Sequence, residues 1–445
     1  MFRIVFRTLM RRAYNRNNWE NARKYALKII DNPKEEKLAK SVILRSYWNQ
    51  KDILKLEMYL ERWGDIDFEE IREKVQRSQK QVIPSPDFEI DWNPTDIPSN
   101  FVQEGNILWF KTPNSWVHWI MPEGFTLEKT HPSLLQLAAD LLLRPWNKEV
   151  KRPLDTGRGK GGNYALSFSA GTDSSAAMQL MPENTILGYH ERNYNSMVKH
   201  ENAHRLLDHL RQSREVLIVK SNHEHLRKIH GKQTGFSTDY AAGVHLVLLA
   251  DHLDLKGIAF GTPIDNTWLA KGKKFRIFSE SNHRGYWQGR FAEAGLELIL
   301  PINMISEAGA MMICKKSPFF EFMNSCMRGN GITGCGKCWK CFHKNGPLGR
   351  DFDIDSHEIS TFLSRRPLRT AMHALWAVKK MNLEHVLPDL QHLLKDDMEW
   401  WERYYPPGLE IVPPELRDHI ENRLNHYLKP MESPYALEEI DLFPE

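Results

Sequence analysis

Residues 164–181, YALSFSAGTDSSAAMQLM, constrain the fold more than any other part of the 445-residue chain. Tyr164, Leu166 and Phe168 alternate with smaller residues, the period of a short strand. Ser169-Ala170-Gly171-Thr172-Asp173-Ser174-Ser175 then supplies a turn residue, hydroxyl donors and an Asp/Ser pair suited to capping the helix that follows. Strand, loop and helix in that order bring backbone N–H groups and the positive end of a helix dipole to a place where phosphate can sit. The plainer alternative is an ordinary strand-to-helix turn, because small and hydroxyl residues precede helices of every kind.

The alternation continues downstream, with strands expected over 185–189, 216–219 and 257–260 and helices over 199–210 and 240–252. This order predicts an α/β domain, a parallel sheet with helices on both faces. Ligands of such sheets bind beyond the carboxyl ends of the strands, where Ser169, His190 and Gly261 all fall. The domain is expected over 151–350 and opens on a basic, glycine-rich linker at 151–162 that serves as a flexible connection or contacts phosphate.

Residues 1–80 read as helices, at 19–27, 37–48 and 53–63. Tyr14 and Tyr47, Ala26 and Tyr59, and Leu27 and Leu60 are each 33 apart. That spacing weakly resembles two tetratricopeptide-like hairpins, although a plain helical domain explains it equally well. A small mixed α/β region is expected over 81–150, with strands at 107–111 and 115–121 and an apolar helix at 133–143. A helical C-terminal domain is expected over 351–445, with helices at 364–380 and 384–405. The aromatic run at 400–407 reads as interdomain core or as a groove for an aromatic substrate.

Lys plus Arg number 60 against 57 Asp plus Glu, so net charge does not indicate nucleic acid as a partner. No apolar run approaches the ~18 residues of a membrane span, and the N-terminal MFRIVFRTLMRRAYNR lacks a signal-peptide pattern, so a cytoplasmic location is expected. Five cysteines in a chain of this size do not form a disulfide scaffold. Cys326, Cys335, Cys338 and Cys341 are spaced C-x8-C-x2-C-x2-C, with Gly329, Gly331, Gly334 and Gly336 bending the chain between them. Four thiolates closing on one ion suit a structural Zn2+, and an iron–sulfur cluster uses the same ligands. Cys314 lies outside the pattern and reads as a buried thiol.

Ser169, Gly171, Asp173 and Ser174 resemble the S-G-G-x-D-S signature of the PP-loop ATP pyrophosphatases, with Ala170 where the first glycine usually stands. Together with Ser325-Cys326-Met327-Arg328-Gly329 and Cys335-Gly336-Lys337-Cys338-Trp339-Lys340-Cys341, the span from about 164 to 350 resembles the 7-cyano-7-deazaguanine synthase (QueC) family. Lys199 and His200 fall where that family carries a basic residue and a histidine. Gly261, Thr262 and Asp265 follow its strand-end glycine and its loop to an aspartate. Tyr286 and Arg290 keep the frame of its Tyr-Pro-Asp-Cys-Arg motif, while Trp287, Gln288 and Gly289 replace the middle.

The resemblance implies an adenine nucleotide alpha hydrolase-like fold with a zinc-binding insertion, flanked here by helical domains. It implies that Ser169, Ala170, Gly171, Thr172, Asp173, Ser174, Ser175, His190 and Gly261 hold ATP, that Mg2+ sits at Asp173, and that Asp173, Lys199, His200 and Arg290 assist the chemistry. The implied activity is that of an ATP-dependent ligase or amidotransferase. A small-molecule carboxylate, such as 7-carboxy-7-deazaguanine, becomes an acyl-adenylate with release of pyrophosphate, and then an amide or nitrile. Relatives with extra domains resemble components of antiphage operons that attach a deazaguanine to a protein terminus. The helical ends would offer surfaces for such a protein partner, and the chain could form a homodimer. Competing expectations are the plain nitrile-forming enzyme of queuosine biosynthesis and a catalytically silent scaffold that recruits partners.

Overall fold

The structure, a computed structural model, describes residues 2–50, 52–63, 85–147, 157–194, 196, 198–395 and 397–444. The chain forms two compact units, Met1–Ile83 with Asn195–Met197 and Pro84–Tyr194 with Val198–Glu445.

The first unit contains helices α1 (Phe2–Asn15), α2 (Trp19–Leu27), α3 (Glu36–Gln50) and α4 (Ile53–Trp63), each packed on the next. Asn18 caps α2 through its side-chain oxygen, which accepts from the Asn21 N–H. Ala22, Ala26 and Ala39 are fully buried, so the helices approach closely around Met10, Val42 and Ile43. Tyr47 stacks on Tyr59 at 5.5 Å, which joins α3 to α4.

The second unit is mixed α/β, built on one eight-stranded sheet. In chain order the strands are β1 (Phe101–Glu104), β2 (Ile107–Thr112), β3 (Ser115–Ile120), β4 (Asn163–Phe168), β5 (Ile186–Arg192), β6 (Val216–Ser221), β7 (Leu255–Phe260) and, after a small separate hairpin of β8 (Leu269–Ala270) and β9 (Lys274–Phe275), β10 (Glu297–Ile299). Their order across the sheet is β1-β2-β3-β6-β5-β4-β7-β10. The five strands from β6 to β10 are parallel, and β1, β2 and β3 extend the β6 edge in antiparallel pairing. Residues expected as a separate region before 150 therefore belong to the same sheet.

The central strand β4 buries Tyr164, Ala165, Leu166 and Phe168, as a parallel strand covered on both faces should. On one face α5 (Pro132–Leu143) is apolar around most of its circumference and is buried along nearly its whole length. On β5, Gly188 gives Leu246 room: a Cβ there would lie 2.5 Å from Leu Cδ2. Leu246 belongs to α8 (Val244–Leu248), which a 3-10 turn at Ala241–Gly243 precedes where a single helix over 240–252 was expected.

The other helices used below are α6 (Thr172–Leu180), α7 (Glu201–Leu210), α9 (Asn282–Glu293), α10 (Glu307–Lys315), α11 (His357–Ser364), α12 (Ala371–Lys380) and α13 (Pro414–Tyr427). The expected helix at 364–380 is broken: Pro367 lacks a backbone donor and Thr370 sits at φ +46 before α12 begins. The expected helix at 384–405 is a series of 3-10 turns, Glu384–Val386, Pro388–Leu393 and Glu399–Glu402. Within the aromatic run Trp401, Tyr404 and Tyr405 are buried, and Tyr405 meets Trp268 at 5.1 Å, which is core packing.

Of the linker at 151–162, residues up to 156 lie outside the described residues. Its described end is pinned by Arg158, which pairs with Asp251 at 2.7 Å and donates to the carbonyls of Leu255 and Gly295. That is the amino end of β7, the edge opposite the loop after β4. Among the described residues no helix is long and apolar enough to cross a membrane.

Burial holds His118 and His245 neutral, with pKa values pushed down to about 4. Below the ordinary histidine pKa the unfolded chain binds these protons and the folded chain does not, so acid favours unfolding. Stability should fall as pH drops from about 6.5 towards 4, by roughly 1.4 kcal/mol per pH unit for each such group at full slope. Urea denaturation across that window measures it, and His245→Gln should flatten the slope.

Candidate functional site

The loop after β4 turns at Ala170, whose φ is +58. A left-handed backbone is what the first glycine of an S-G-G signature supplies at no steric cost, and alanine adopts it here at a cost of about 1 kcal/mol. Gly171 then caps α6. Ser174 Oγ accepts from the Ser169 N–H at 3.1 Å, lies 3.0 Å from Ser169 Oγ and donates to the Gly171 carbonyl, which makes the loop self-supporting. Gly261, the residue after β7, presses on the first turn of α6: a Cβ there would lie 2.9 Å from Ser174 N. The loop thus sits at the carboxyl edge of the parallel strands, with the α6 N-terminus facing outward.

The four cysteines gather as their spacing suggests. Their Sγ atoms are separated by 3.6 Å (Cys326 to Cys338 and Cys338 to Cys341) and 3.9 Å (Cys335 to Cys341). Tetrahedral ligands at the usual zinc–sulfur length stand ~3.8 Å apart. The cluster could therefore hold a metal such as zinc. Hydrogen bonds from Cys335, Cys338 and Cys341 also hold the Cys326 thiol far below its ordinary range. A Cβ on Gly334 would lie 2.9 Å from Cys341 Sγ, so only glycine lets the chain pass.

This knuckle is fastened directly to the loop. Ser325 Oγ accepts from the Thr172 N–H at 3.1 Å and lies 3.0 Å from the Thr172 hydroxyl. On the other side, the segment Cys341–Asn345 is a single π-helical turn, a feature common at functional sites. It delivers Lys344 to Asp173, with Nζ 2.5 Å from Oδ2 and 3.3 Å from Glu307 Oε2. Asp265 completes the group, its Oδ2 accepting from the Glu307 N–H at 2.8 Å.

Three carboxylates thus meet one buried ammonium. Burial pushes Asp173 above its ordinary pKa while Lys344 draws it back. Burial and the neighbouring Glu307 drive Asp265 well above the carboxylate range. Against burial, Lys344, His373 and His343 hold Glu307 well below it. Likewise Asp173 and Glu307 outweigh burial and keep Lys344 charged. One oxygen of each acid in the loop pair, Asp173 Oδ1 and Asp265 Oδ1, is buried without a hydrogen-bond partner.

Of the residues expected to act, Ser169, Ala170, Gly171, Thr172, Asp173, Ser174, Ser175 and Gly261 are brought together. Lys199 is exposed and joins the knuckle by its backbone, its N–H donating to the Met327 carbonyl at 2.6 Å. His200 braces β5: its Nε2 accepts from the Arg192 N–H and its Nδ1 is 2.5 Å from the Tyr189 hydroxyl, with burial lowering its pKa. His190 stacks on His223 at 4.4 Å, 3.6 Å from Glu224, and burial keeps it neutral.

Arg290 belongs to another cluster. It pairs with the buried Asp140 at 2.8 Å and with Glu293 at 2.9 Å, and Tyr286 donates to the same Asp140. Trp287 is core between Tyr240 and Tyr286, whereas Gln288 and Gly289 are exposed on α9. The Tyr286/Arg290 frame therefore joins α9 to α5 instead of lining the loop. The sequence motif included Ser325 without a role for it and left out Glu307 and Lys344, although Lys344 closely follows the cysteine run and Asp265 had been noticed.

A family described as one of unknown function, DUF6395, matches residues 286–436. The matched part carries the knuckle, Glu307 and Lys344 but begins after the loop at 169–175. No curated protein matches the chain.

Lys344→Met leaves Asp173 and Glu307 buried without their ammonium, and should cost about 3–5 kcal/mol in chemical denaturation. Adding Asp173→Asn should recover part of that loss. Two substitutions that simply add would show that the pair is not coupled.

Proposed function

We propose that the chain is an ATP-dependent adenylating enzyme of the PP-loop pyrophosphatase type, QueC-like in its combination of loop and knuckle, that activates a carboxylate and transfers it to nitrogen. The observation that carries this reading is the Ser169–Ser175 loop itself. Its left-handed turn falls at the signature's glycine position, and the helix it opens points its N–H groups out of the sheet's carboxyl edge beside Lys344. The first N–H groups of a helix have no partner within it, and together with the dipole they suit a polyphosphate. The Thr172 N–H is taken by Ser325 Oγ, so Ser325 must swing aside or become a phosphate contact when nucleotide enters.

The residues present also fit Mg2+. Asp173 Oδ1 and Asp265 Oδ1 are orphaned, buried, hard oxygen donors, the type this cation prefers. Bound there, it would neutralise charge on the polyphosphate. The knuckle thiols would hold zinc for structure, with all four positions taken by sulfur.

A substrate carboxylate oxygen attacks the α-phosphorus of ATP, the α–β bridging P–O bond breaks, and pyrophosphate departs. The nitrogen of ammonia or an amine then attacks the acyl carbon, AMP leaves with the carboxylate oxygen, and the nitrogen loses a proton. Lys344, charged and fixed beside Asp173, supplies positive charge where the pyrophosphate develops its own negative charge. The helical first unit, with its paired hairpins, suits recognition of a protein acceptor.

The test follows pyrophosphate and AMP production by the full chain with ATP, Mg2+ and 7-carboxy-7-deazaguanine, with ammonium or the protein encoded beside it as acceptor. Formation of AMP and pyrophosphate is expected, with Asp173→Asn lowering the rate at least ~100-fold. ATP cleavage to ADP and phosphate, or turnover indifferent to Asp173→Asn, would contradict it.

A further inference from the structure

Apart from the thiol cluster, a second set of metal-type donors converges in the same unit. Glu307 begins α10, His343 lies in the π-helical turn and His373 lies in the first turn of α12; all three are buried. Their donor atoms lie within 4.8 Å of one another. Glu307 Oε2 is 3.3 Å from His343 Nε2 and 3.7 Å from His373 Nε2. Ligands on a single tetrahedral or octahedral ion at ordinary bond lengths stand roughly 3.0–3.4 Å apart, so a small closure on His373 completes the set.

The hydrogen bonding asks for something between these atoms. His343 Nδ1 lies 2.5 Å from the Trp339 carbonyl, which can only accept, so the ring proton belongs on Nδ1. His343 Nε2 is thereby turned towards the Glu307 carboxylate oxygen, and both atoms are buried without a hydrogen-bond partner. An imidazole that donates its second nitrogen to a backbone carbonyl is also the usual support of a metal ligand. His373, also fully buried, comes to the same oxygen. Its Nε2 lies 2.9 Å from the His343 carbonyl and would yield that contact, with its proton moving to Nδ1, which has no partner. Lys344 stands 3.3 Å from the shared oxygen, and the same ammonium is paired with Asp173.

We propose that Glu307, His343 and His373 bind a divalent transition-metal ion, distinct from the ion the four thiols would hold. Two imidazoles and one carboxylate favour Zn2+, Fe2+ or Mn2+ over Mg2+ or Ca2+. The ion would tie α10 and α12 to the π-helical turn that positions Lys344. This assignment stands independently of the adenylation reading.

Because the donors are buried, the ion must enter as the protein folds, so the test uses full-length protein made in medium supplemented with zinc, iron and manganese. Elemental analysis should find a second metal equivalent per chain beyond that held by the thiols. X-ray absorption should show nitrogen and oxygen scatterers with an imidazole pattern alongside sulfur. His373→Ala should remove the second equivalent and leave only sulfur scattering. A single equivalent with purely sulfur ligation in the wild-type protein would overturn the proposal, whatever the folding of the variant, and so would a second equivalent that His343→Ala and His373→Ala both retain in folded protein.

Discussion

Lys344 reaches Asp173 only because four thiols turn the chain between Ser325 and Asn345 back on itself. The first cysteine of the cluster follows Ser325, which clamps Thr172, and the last opens the π-helical turn that carries Lys344. The backbone of Lys199 and the Asn202 amide bind the knuckle from the start of α7, the latter donating to the Cys326 carbonyl at 2.8 Å. Loosening the sulfur cluster would therefore release both sides of the loop at once.

The loop faces a group of charges that no stability argument would place there. Isolated buried carboxylates are costly and pairing recovers the cost only in part. Here Asp173, Asp265 and Glu307 surround a single Lys344 and leave acid oxygens without partners. In the proposed function, nucleotide and Mg2+ would complete this group at the carboxyl edge of the parallel sheet, next to a helix N-terminus. The rest of the sheet is consistent with a rigid support: β4 is buried on both faces, and Gly188 and Gly261 allow helices to pack against strand ends without a gap.

Much of this was legible in the sequence because it is local. Strand, loop and helix at 164–180, the gathered cysteines and the alternation through 260 are short-range patterns, and each appears close to the expected bounds except the helix expected over 240–252. Ala170 could be placed at the signature's first glycine, but its left-handed φ is a property of the backbone that no side-chain pattern displays. What the sequence concealed is long-range. Lys344 and Asp173 are 171 residues apart, and nothing in either neighbourhood names the other. Arg290 kept a motif's frame yet is held by Asp140 on α5, because a buried carboxylate competes for any arginine within reach. The break at Pro367 lay in plain view, and helical periodicity on both sides of it outweighed the proline.

The proposed function makes the α6 N-terminus, framed by Ser325 and Lys344, a polyphosphate site. A crystal structure of the full chain grown with Mg2+ and α,β-methylene ATP is the sharpest test of that site. The triphosphate is expected against the backbone of Ser169–Ser175, with Lys344 within contact distance of it and Ser325 either moved off Thr172 or bonded to phosphate. Nucleotide bound elsewhere, or a loop that stays closed on Ser325 with no nucleotide at saturating concentration, would contradict it.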